Sequence, residues 1–377
     1  MGWAIALHGG AGSVLKTMPV AQREAAEAAM GEFLNAGVAA LSDSRPAMEV
    51  VELVVKMLEA CPLFNAGVGS VLTAKGTVEM EASIMDGTTK RSGAVSGLST
   101  VVHPISLARL VMEKTPHAYI GFAGAEAFAR EQGVEIQDPG FFITSPNQER
   151  LRKALKSGLV LLDHCASSGN LSVEEGKAQA QFETVGCVAV DMQGRCAAAT
   201  STGGLVNKMV GRIGDTPLIG AGTYADEFCA VSTTGKGEAI IRALAAREVS
   251  VQMEHKFLSL NEAVETVIWK KLEEGTGGLI AVSTTGELAM SFNTLAMYRA
   301  AATEDGFREI GIWEDVFAED RVTKPESVKS PVLDHVNGVN GHQKLIPVSV
   351  SNGHSNGHAK SLVNGHSNAI VEPINGH

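Results

Sequence analysis

Three short segments carry residue types and spacings that can do chemistry. Thr184 stands between a polar run, EEGKAQAQFE (174–183), and an apolar one, TVGCVAVD (184–191). Within a chain, a threonine hydroxyl is a poor nucleophile. If the peptide bond before it is cut, a new α-amino group appears on the same residue. With a reference pKa of about 7.7–8.0, that amine can serve as general base for the hydroxyl near neutral pH. The plain alternative is a β-branched residue that opens a strand. In GRIGD (211–215), Arg212 and Asp215 sit among glycines in a loop. They offer one cation and one anion, and arginine can grip a carboxylate through two parallel hydrogen bonds. Their plain alternative is a surface ion pair worth little. In TTGKGE (233–238), the Thr234 hydroxyl beside the Gly235 N–H supplies two donors that can face one developing oxyanion. A strand-to-helix turn would use the same residues.

These segments need elements to position them. Residues 3–7 (WAIAL) read as a buried strand ending in the glycine-rich HGGAG (8–12). Helical spacing of apolar residues spans 20–41 and 47–60, the second helix closed by Pro62. From 66 to 101, short segments broken by glycine suit strands and hairpins. Helices are expected at about 104–114, 119–132 and 149–163. The run 184–191 and the run 195–201 form a hairpin turning at Gln193 and Gly194. Strands follow at 218–222, 228–233, 277–283 and 287–293, with helices at 237–249 and 261–273. Two strand-rich blocks with helices around them predict an α+β layered sandwich.

HGGAG (8–12), LFNAGVGSV (63–71), MDG (85–87), TVGCVAVD (184–191), the stretch from Ala199 to Ala225, TTGKGE (233–238) and FNT (292–294) occur together in this order. On these motifs the sequence resembles the plant-type asparaginases, N-terminal-nucleophile hydrolases also called isoaspartyl peptidases, over about 2–313. The resemblance implies a four-layer αββα sandwich whose precursor cuts itself between Glu183 and Thr184. The products 1–183 (α) and 184–377 (β) would stay interleaved in one structural domain, and the mature enzyme would be a dimer of such αβ units. It implies Thr184 as nucleophile and Thr202 as its hydrogen-bonding neighbour. Arg212 and Asp215 would hold the substrate's α-carboxylate and α-ammonium groups. Thr234 and Gly235 would form the oxyanion hole, Gly237 a backbone contact to the substrate, and Asn65 would line the site. The implied substrates are L-asparagine and β-aspartyl dipeptides.

Leu58, Glu59, Cys61, Phe64, Ala66 and Val68 match the carbonyl donors of the family's structural sodium loop, Cys61 through its carbonyl and not its sulfur. VMEKTPH (111–117) resembles the activation loop of a potassium-dependent subgroup. Two positions depart from the family pattern, which has glycine at both: Glu183, before the nucleophile, and Ala296. The first is expected to slow maturation and the second to narrow a backbone approach or change a turn. Rival readings are glycosylasparaginase, a threonine protease of the same fold, and a non-catalytic binding relative. A nucleotide-binding loop is disfavoured, because TTGKGE lacks the Ser or Thr that must follow GK.

Of the 377 residues, 45% are hydrophobic and 41 are glycine, a globular composition rich in turns. The net charge of −11 disfavours nucleic acid or an anionic membrane as partner. Five scattered cysteines without a CxxC pair read as reduced thiols. The start MGWAIALHGG has no basic n-region, no apolar run reaches membrane-spanning length, and a cytoplasmic location is expected. NGH recurs five times between residues 340 and 377, and six of eleven histidines fall after residue 320. Residues 320–377 read as a disordered low-complexity segment and not as a fixed metal site.

Overall fold

A computed structural model of the chain describes residues 2–157 and 184–314. Glu183, Cys165, the run 174–183, the end of the helix expected at 149–163 and the NGH tail lie outside the described residues. The first half runs β1 (Ala4–Gly12), α1 (Val20–Ser42), α2 (Ala47–Ala60), β2 (Met80–Asp86), β3 (Ser92–Leu98), α3 (Pro104–Lys114), β4 (Tyr119–Gly121), α4 (Phe122–Gln132) and α5 (Ser145–Ser157). The second runs β5 (Val185–Val190), β6 (Cys196–Thr202), β7 (Thr223–Ala225), β8 (Cys229–Gly235), α6 (Gly237–Ala243), α7 (Ala245–Lys256), α8 (Leu260–Lys270), β9 (Gly277–Ser283), β10 (Leu288–Phe292), β11 (Ala296–Thr303) and β12 (Arg308–Gly311).

The strands form two sheets. One has the order β12-β11-β1-β5-β6-β2-β3-β4 and the other β10-β9-β8-β7. Helices α1, α2 and α3 cover the outer face of the large sheet, and α7 and α8 that of the small one. The layers are therefore αββα. Side-chain alternation accounts for them, since successive residues of a strand point to opposite faces. In β5, Val185, Cys187 and Ala189 join the helix-side core, while Val188 and Val190 face the other sheet. In β9, Leu279 and Ala281 face the helices, while Ile280 and Val282 face the large sheet. The inter-sheet layer is rich in alanine (Ala4, Ala6, Ala11, Ala198, Ala225, Ala230, Ala301). Small side chains there let the sheets approach closely.

Several expected elements are relocated. The strand begun at Ala4 continues through HGGAG to Gly12, with a register shift against β11 between His8 and Gly10. Such bulges re-aim side chains next to functional sites. Residues 218–222 are turn, because Gly220 has φ +94° and Gly222 N donates to the Asp215 carbonyl; the strand is β7, just beyond. The single helix expected at 237–249 is two, broken at Leu244, which is left-handed at φ 48°. At 119–132, the first three residues form β4, parallel to β3, before α4 begins.

Candidate active site

Four strands converge where the alanine-rich layer turns polar. Thr184 immediately precedes β5 and is almost wholly buried. Its Oγ1 donates to Thr202 Oγ1, at the end of β6, over 3.4 Å, and Thr202 Oγ1 accepts from Gly204 N–H at 3.0 Å. Asn65 braces the turn after Thr202. Its Nδ2 donates to the Gly204 carbonyl (2.7 Å), its Oδ1 accepts from Val71 N–H (3.0 Å), and its carbonyl accepts from Gly203 N–H (3.0 Å).

β8 supplies the opposite wall. Thr234 is fully buried, and its Oγ1 accepts from Ala11 N–H at 3.0 Å. With that lone pair taken, the hydroxyl proton remains free to point elsewhere. Gly235 has φ +140°, and a Cβ there would stand 2.2 Å from the Thr276 carbonyl oxygen. Only glycine satisfies both the torsion and the close approach.

Arg212 and Asp215 meet beside the start of α6. A Cβ on Gly237 would lie 2.7 Å from Arg212 Nη2 and 2.8 Å from Asp215 Oδ1, so the bare glycine gives both side chains access to one spot. Arg212 directs Nε and Nη2 to Glu238 Oε1, both at 3.1 Å. Its ion pair is with Glu238 and not with Asp215. Asp215 accepts from Thr233 Oγ1 at 3.1 Å, and its burial pushes the carboxyl up to about 6 against the pull of Arg212. Beneath them lies Lys208, fully buried, donating from Nζ to the Glu79 carbonyl at 2.6 Å. Glu81, also buried, accepts from Gly214 N–H at 3.0 Å, and burial raises its pKa. The loop that carries Arg212 and Asp215 thus rests on a desolvated charge cluster, held by hydrogen bonds as buried charges must be.

The loop after α2 presents main-chain oxygens. The Leu58, Cys61, Phe64 and Ala66 carbonyls each accept one bond, from Cys61, Phe64, Ala66 and Gly69 N–H respectively. A Cβ on Gly69 would lie 1.9 Å from the Phe64 carbonyl oxygen and 3.2 Å from that of Cys61; one on Gly67 would lie 2.2 Å from that of Glu59. The two glycines keep a cradle of hard oxygen donors clear, the ligand chemistry of an alkali or alkaline-earth cation. Asn147 Nδ2 braces this loop through the Gly69 and Ser70 carbonyls at 2.9 and 2.8 Å. Among the described residues, no cluster of three or more His, Cys, Asp or Glu side chains is present. Residues 111–117 end α3, where exposed His117 donates its N–H to Thr115 Oγ1 at 3.0 Å. Ala296 is buried in β11, paired with Gly12.

Several contributors were not read from the sequence. Glu238 holds Arg212. The Glu59 carboxylate, fully buried, accepts from Ser201 Oγ (2.7 Å) and from Ile105 N–H at the head of α3 (3.0 Å). His8, Thr200 and Ser232 also lie here. Strand alternation carries the one available signal: Thr200 and Ser232 stand two residues before Thr202 and Thr234, on the same strand faces.

An αββα sandwich with a threonine at the head of a central strand, its hydroxyl facing a second threonine, is the arrangement of the N-terminal-nucleophile hydrolases. A family profile described as Asparaginase matches residues 1–312. The chain is 56% identical over 324 residues to the probable isoaspartyl peptidase/L-asparaginase 2 of Arabidopsis thaliana, covering 83% of this chain and 99% of that protein. It is 46% identical to the isoaspartyl peptidase of Escherichia coli over 300 residues (78% and 91% of the two chains). It is 40% identical to the human isoaspartyl peptidase/L-asparaginase over 315 residues (82% and 96%). The chain belongs to the asparaginase family. Among the described residues, no helix is long and apolar enough to cross a membrane.

Proposed function

We propose that this chain is a self-processing amidohydrolase. It cuts the Glu183–Thr184 bond and then uses Thr184 to hydrolyse L-asparagine and the β-peptide bond of isoaspartyl dipeptides. The observation that carries the reading is the buried hydroxyl of Thr184, at the head of β5, directed at Thr202 at the end of β6, in a chain of this family. Once the bond is cut, the α-amine of Thr184 accepts the proton of its own Oγ1. The oxygen attacks the side-chain carbonyl of the substrate, and Thr202 holds it in line. The developing oxyanion accepts hydrogen bonds from the Thr234 hydroxyl, whose proton Ala11 leaves free to point at it, and from the Gly235 N–H. Collapse expels ammonia or an amino acid, whose nitrogen takes back the proton from the α-ammonium. Water, deprotonated by the same amine, then releases aspartate from the acyl-enzyme and returns the proton to Oγ1.

An amino acid with free α-groups needs a cation and an anion a few ångströms apart. Arg212 and Asp215 meet that need across Gly237. Substrate carboxylate must share or displace Glu238 at Arg212. A sodium ion held by the carbonyls of Leu58, Glu59, Cys61, Phe64, Ala66 and Val68 would neutralise converging dipoles and stiffen the loop that carries Asn65. The support for it is the space kept by Gly67 and Gly69.

Intact mass measured fresh and after days at neutral pH tests the reading. Fragments matching 1–183 and 184–377, absent in Thr184→Ala, are expected together with release of ammonia from asparagine. An unbroken wild-type chain with no amidase activity refutes it.

A further inference from the structure

His8 opens the HGGAG run and touches none of the groups that react or grip substrate. It lies fully buried in β1, opposite Gly186 of β5. Its Nδ1 is 3.0 Å from the Thr184 carbonyl oxygen and its Nε2 is 2.8 Å from Ser232 Oγ. A carbonyl oxygen can only accept, so Nδ1 carries the proton. Burial holds the ring pKa down to about 3, so the imidazole is neutral and Nε2 offers only a lone pair. Ser232 must therefore donate to it.

The direction set at His8 propagates, because each hydroxyl has one proton to give. Thr200 Oγ1 stands 2.8 Å from Ser232 Oγ, Thr223 Oγ1 donates to Thr200 Oγ1 at 2.5 Å, and Ser83 Oγ lies 2.7 Å from Thr223 Oγ1. All four hydroxyl residues are fully buried. Ser83 also donates to the Thr216 carbonyl at 2.6 Å, so the oriented file runs from Thr223 on β7 through β6 and β8 to the imidazole in β1. Gly186 makes room for it: a Cβ there would fall 2.0 Å from Ser232 Oγ and 2.5 Å from His8 Nε2.

Thr184 is where such an anchor matters. The β5 ladders with β1 and β6 begin at Gly186 and Val185, so Thr184 lies beyond the sheet pairing. After cleavage it is tethered covalently on one side only, and its free end carries both reacting groups. We propose that His8, held in its Nδ1-protonated form by the Thr223–Thr200–Ser232 file, is a positioning residue that fixes the carbonyl of Thr184 and so aims its hydroxyl and amine. This rests on the reading of Thr184 as the N-terminal nucleophile. Misplacing a reacting group by about 1 Å can cost up to about 100-fold in rate.

The test has two arms, both on the full-length mature protein. Side-chain 15N spectra, with His8 assigned by its loss in His8→Gln, should show a protonated Nδ1 and a bare Nε2. A His8 protonated at Nε2 or at both nitrogens overturns the proposal, whatever any variant does. In the second arm, Ser232→Ala should lower kcat for asparagine about tenfold, with KM within about twofold, because Ser232 acts through His8 and not on substrate binding. Thr200→Val should give a smaller loss of the same kind, and Thr200→Ser, which keeps the hydroxyl, should recover most of it. Wild-type kcat in Ser232→Ala, or a change confined to KM, overturns the proposal. Thr184→Ala separates the two levels. Turnover persisting in that variant removes the nucleophile reading itself, whereas a dead Thr184→Ala beside an unaffected Ser232→Ala removes only the role of His8.

Discussion

Asp215→Asn should make the protein more stable and nearly inactive, and the first effect can be sized. Asp215 is almost wholly buried, and desolvation lifts its carboxyl from an ordinary 3.8 to about 6, with Glu81 adding repulsion and Arg212 and Thr233 opposing the rise. Each tenfold change in proton affinity is worth about 1.4 kcal/mol, so the ionised group costs the folded chain about 3 kcal/mol. Between pH 3.8 and about 6, the folded chain keeps a proton that the unfolded chain has lost. Stability therefore falls as pH rises through that window, and the whole cost is present above it. An asparagine is nearly the same size, still accepts from Thr233 and carries no charge.

Urea unfolding of Asp215→Asn should be compared with its parent, both in a Thr184→Ala background so that the chain stays uncut. The variant should gain up to about 3 kcal/mol at pH 7.5 and almost nothing near pH 4. His8 works the other way, since a histidine whose folded pKa is depressed to about 3 loses stability as pH falls below 6.5. It is common to both proteins and cancels in the difference. In the active background, Asp215→Asn should raise KM for asparagine steeply, and wild-type kcat/KM should fall below about pH 6 as Asp215 takes up its proton. A stability difference that is flat with pH, or a variant weaker than its parent above pH 7, refutes the reasoning.

Thr234→Val keeps the shape of the side chain but removes the donor; kcat should drop about 100-fold or more with little change in KM, as steady-state ammonia release would show. Gly237→Ala places a methyl within 2.8 Å of both Arg212 Nη2 and Asp215 Oδ1. Its KM for asparagine should rise at least about tenfold, more than kcat falls, because the lost contacts are mainly binding ones. Gly69→Ala drives a methyl into the Phe64 carbonyl. Melting curves of the wild type in sodium and in a large organic cation should differ, and the variant should melt lower and lose that difference.

Much of the fold was legible because strand alternation and helix periodicity are local. α2 and α3 fall where apolar spacing and proline put them, and the β5–β6 hairpin is marked by Gln193 and Gly194. β11 and β12 were missed because AMYRAAAT is rich in alanine, which has no strand preference, and it becomes a strand only by pairing with β1. The break between α6 and α7 has no glycine to announce it, since Leu244 itself takes the left-handed turn. The site divides in the same way. Thr184, Arg212, Asp215 and Thr234 stand in recognisable segments. His8, Ser232, Thr200 and Glu238 act only through partners 23 to 224 residues away in the chain. Strand alternation puts Thr200 and Ser232 on the faces of Thr202 and Thr234, but no local pattern names their partners.

The inter-sheet layer ties packing to chemistry. Alanines at Ala4, Ala6, Ala198, Ala230 and Ala301 bring the sheets close enough for a hydroxyl on β8 to reach an imidazole on β1 and a hydroxyl on β6. Larger residues would add apolar burial at about 25 cal/mol per Å², yet they would part the sheets and open every bond in that file. Where the alanines end, Thr200, Ser232 and Thr234 follow on the same strand faces, so one layer is packing at one end and chemistry at the other. The close approach is thus a requirement of the site before it is a source of stability. Replacing an inter-sheet alanine by valine should harm turnover more than it harms folding, the reverse of what the same change does in a layer that only packs.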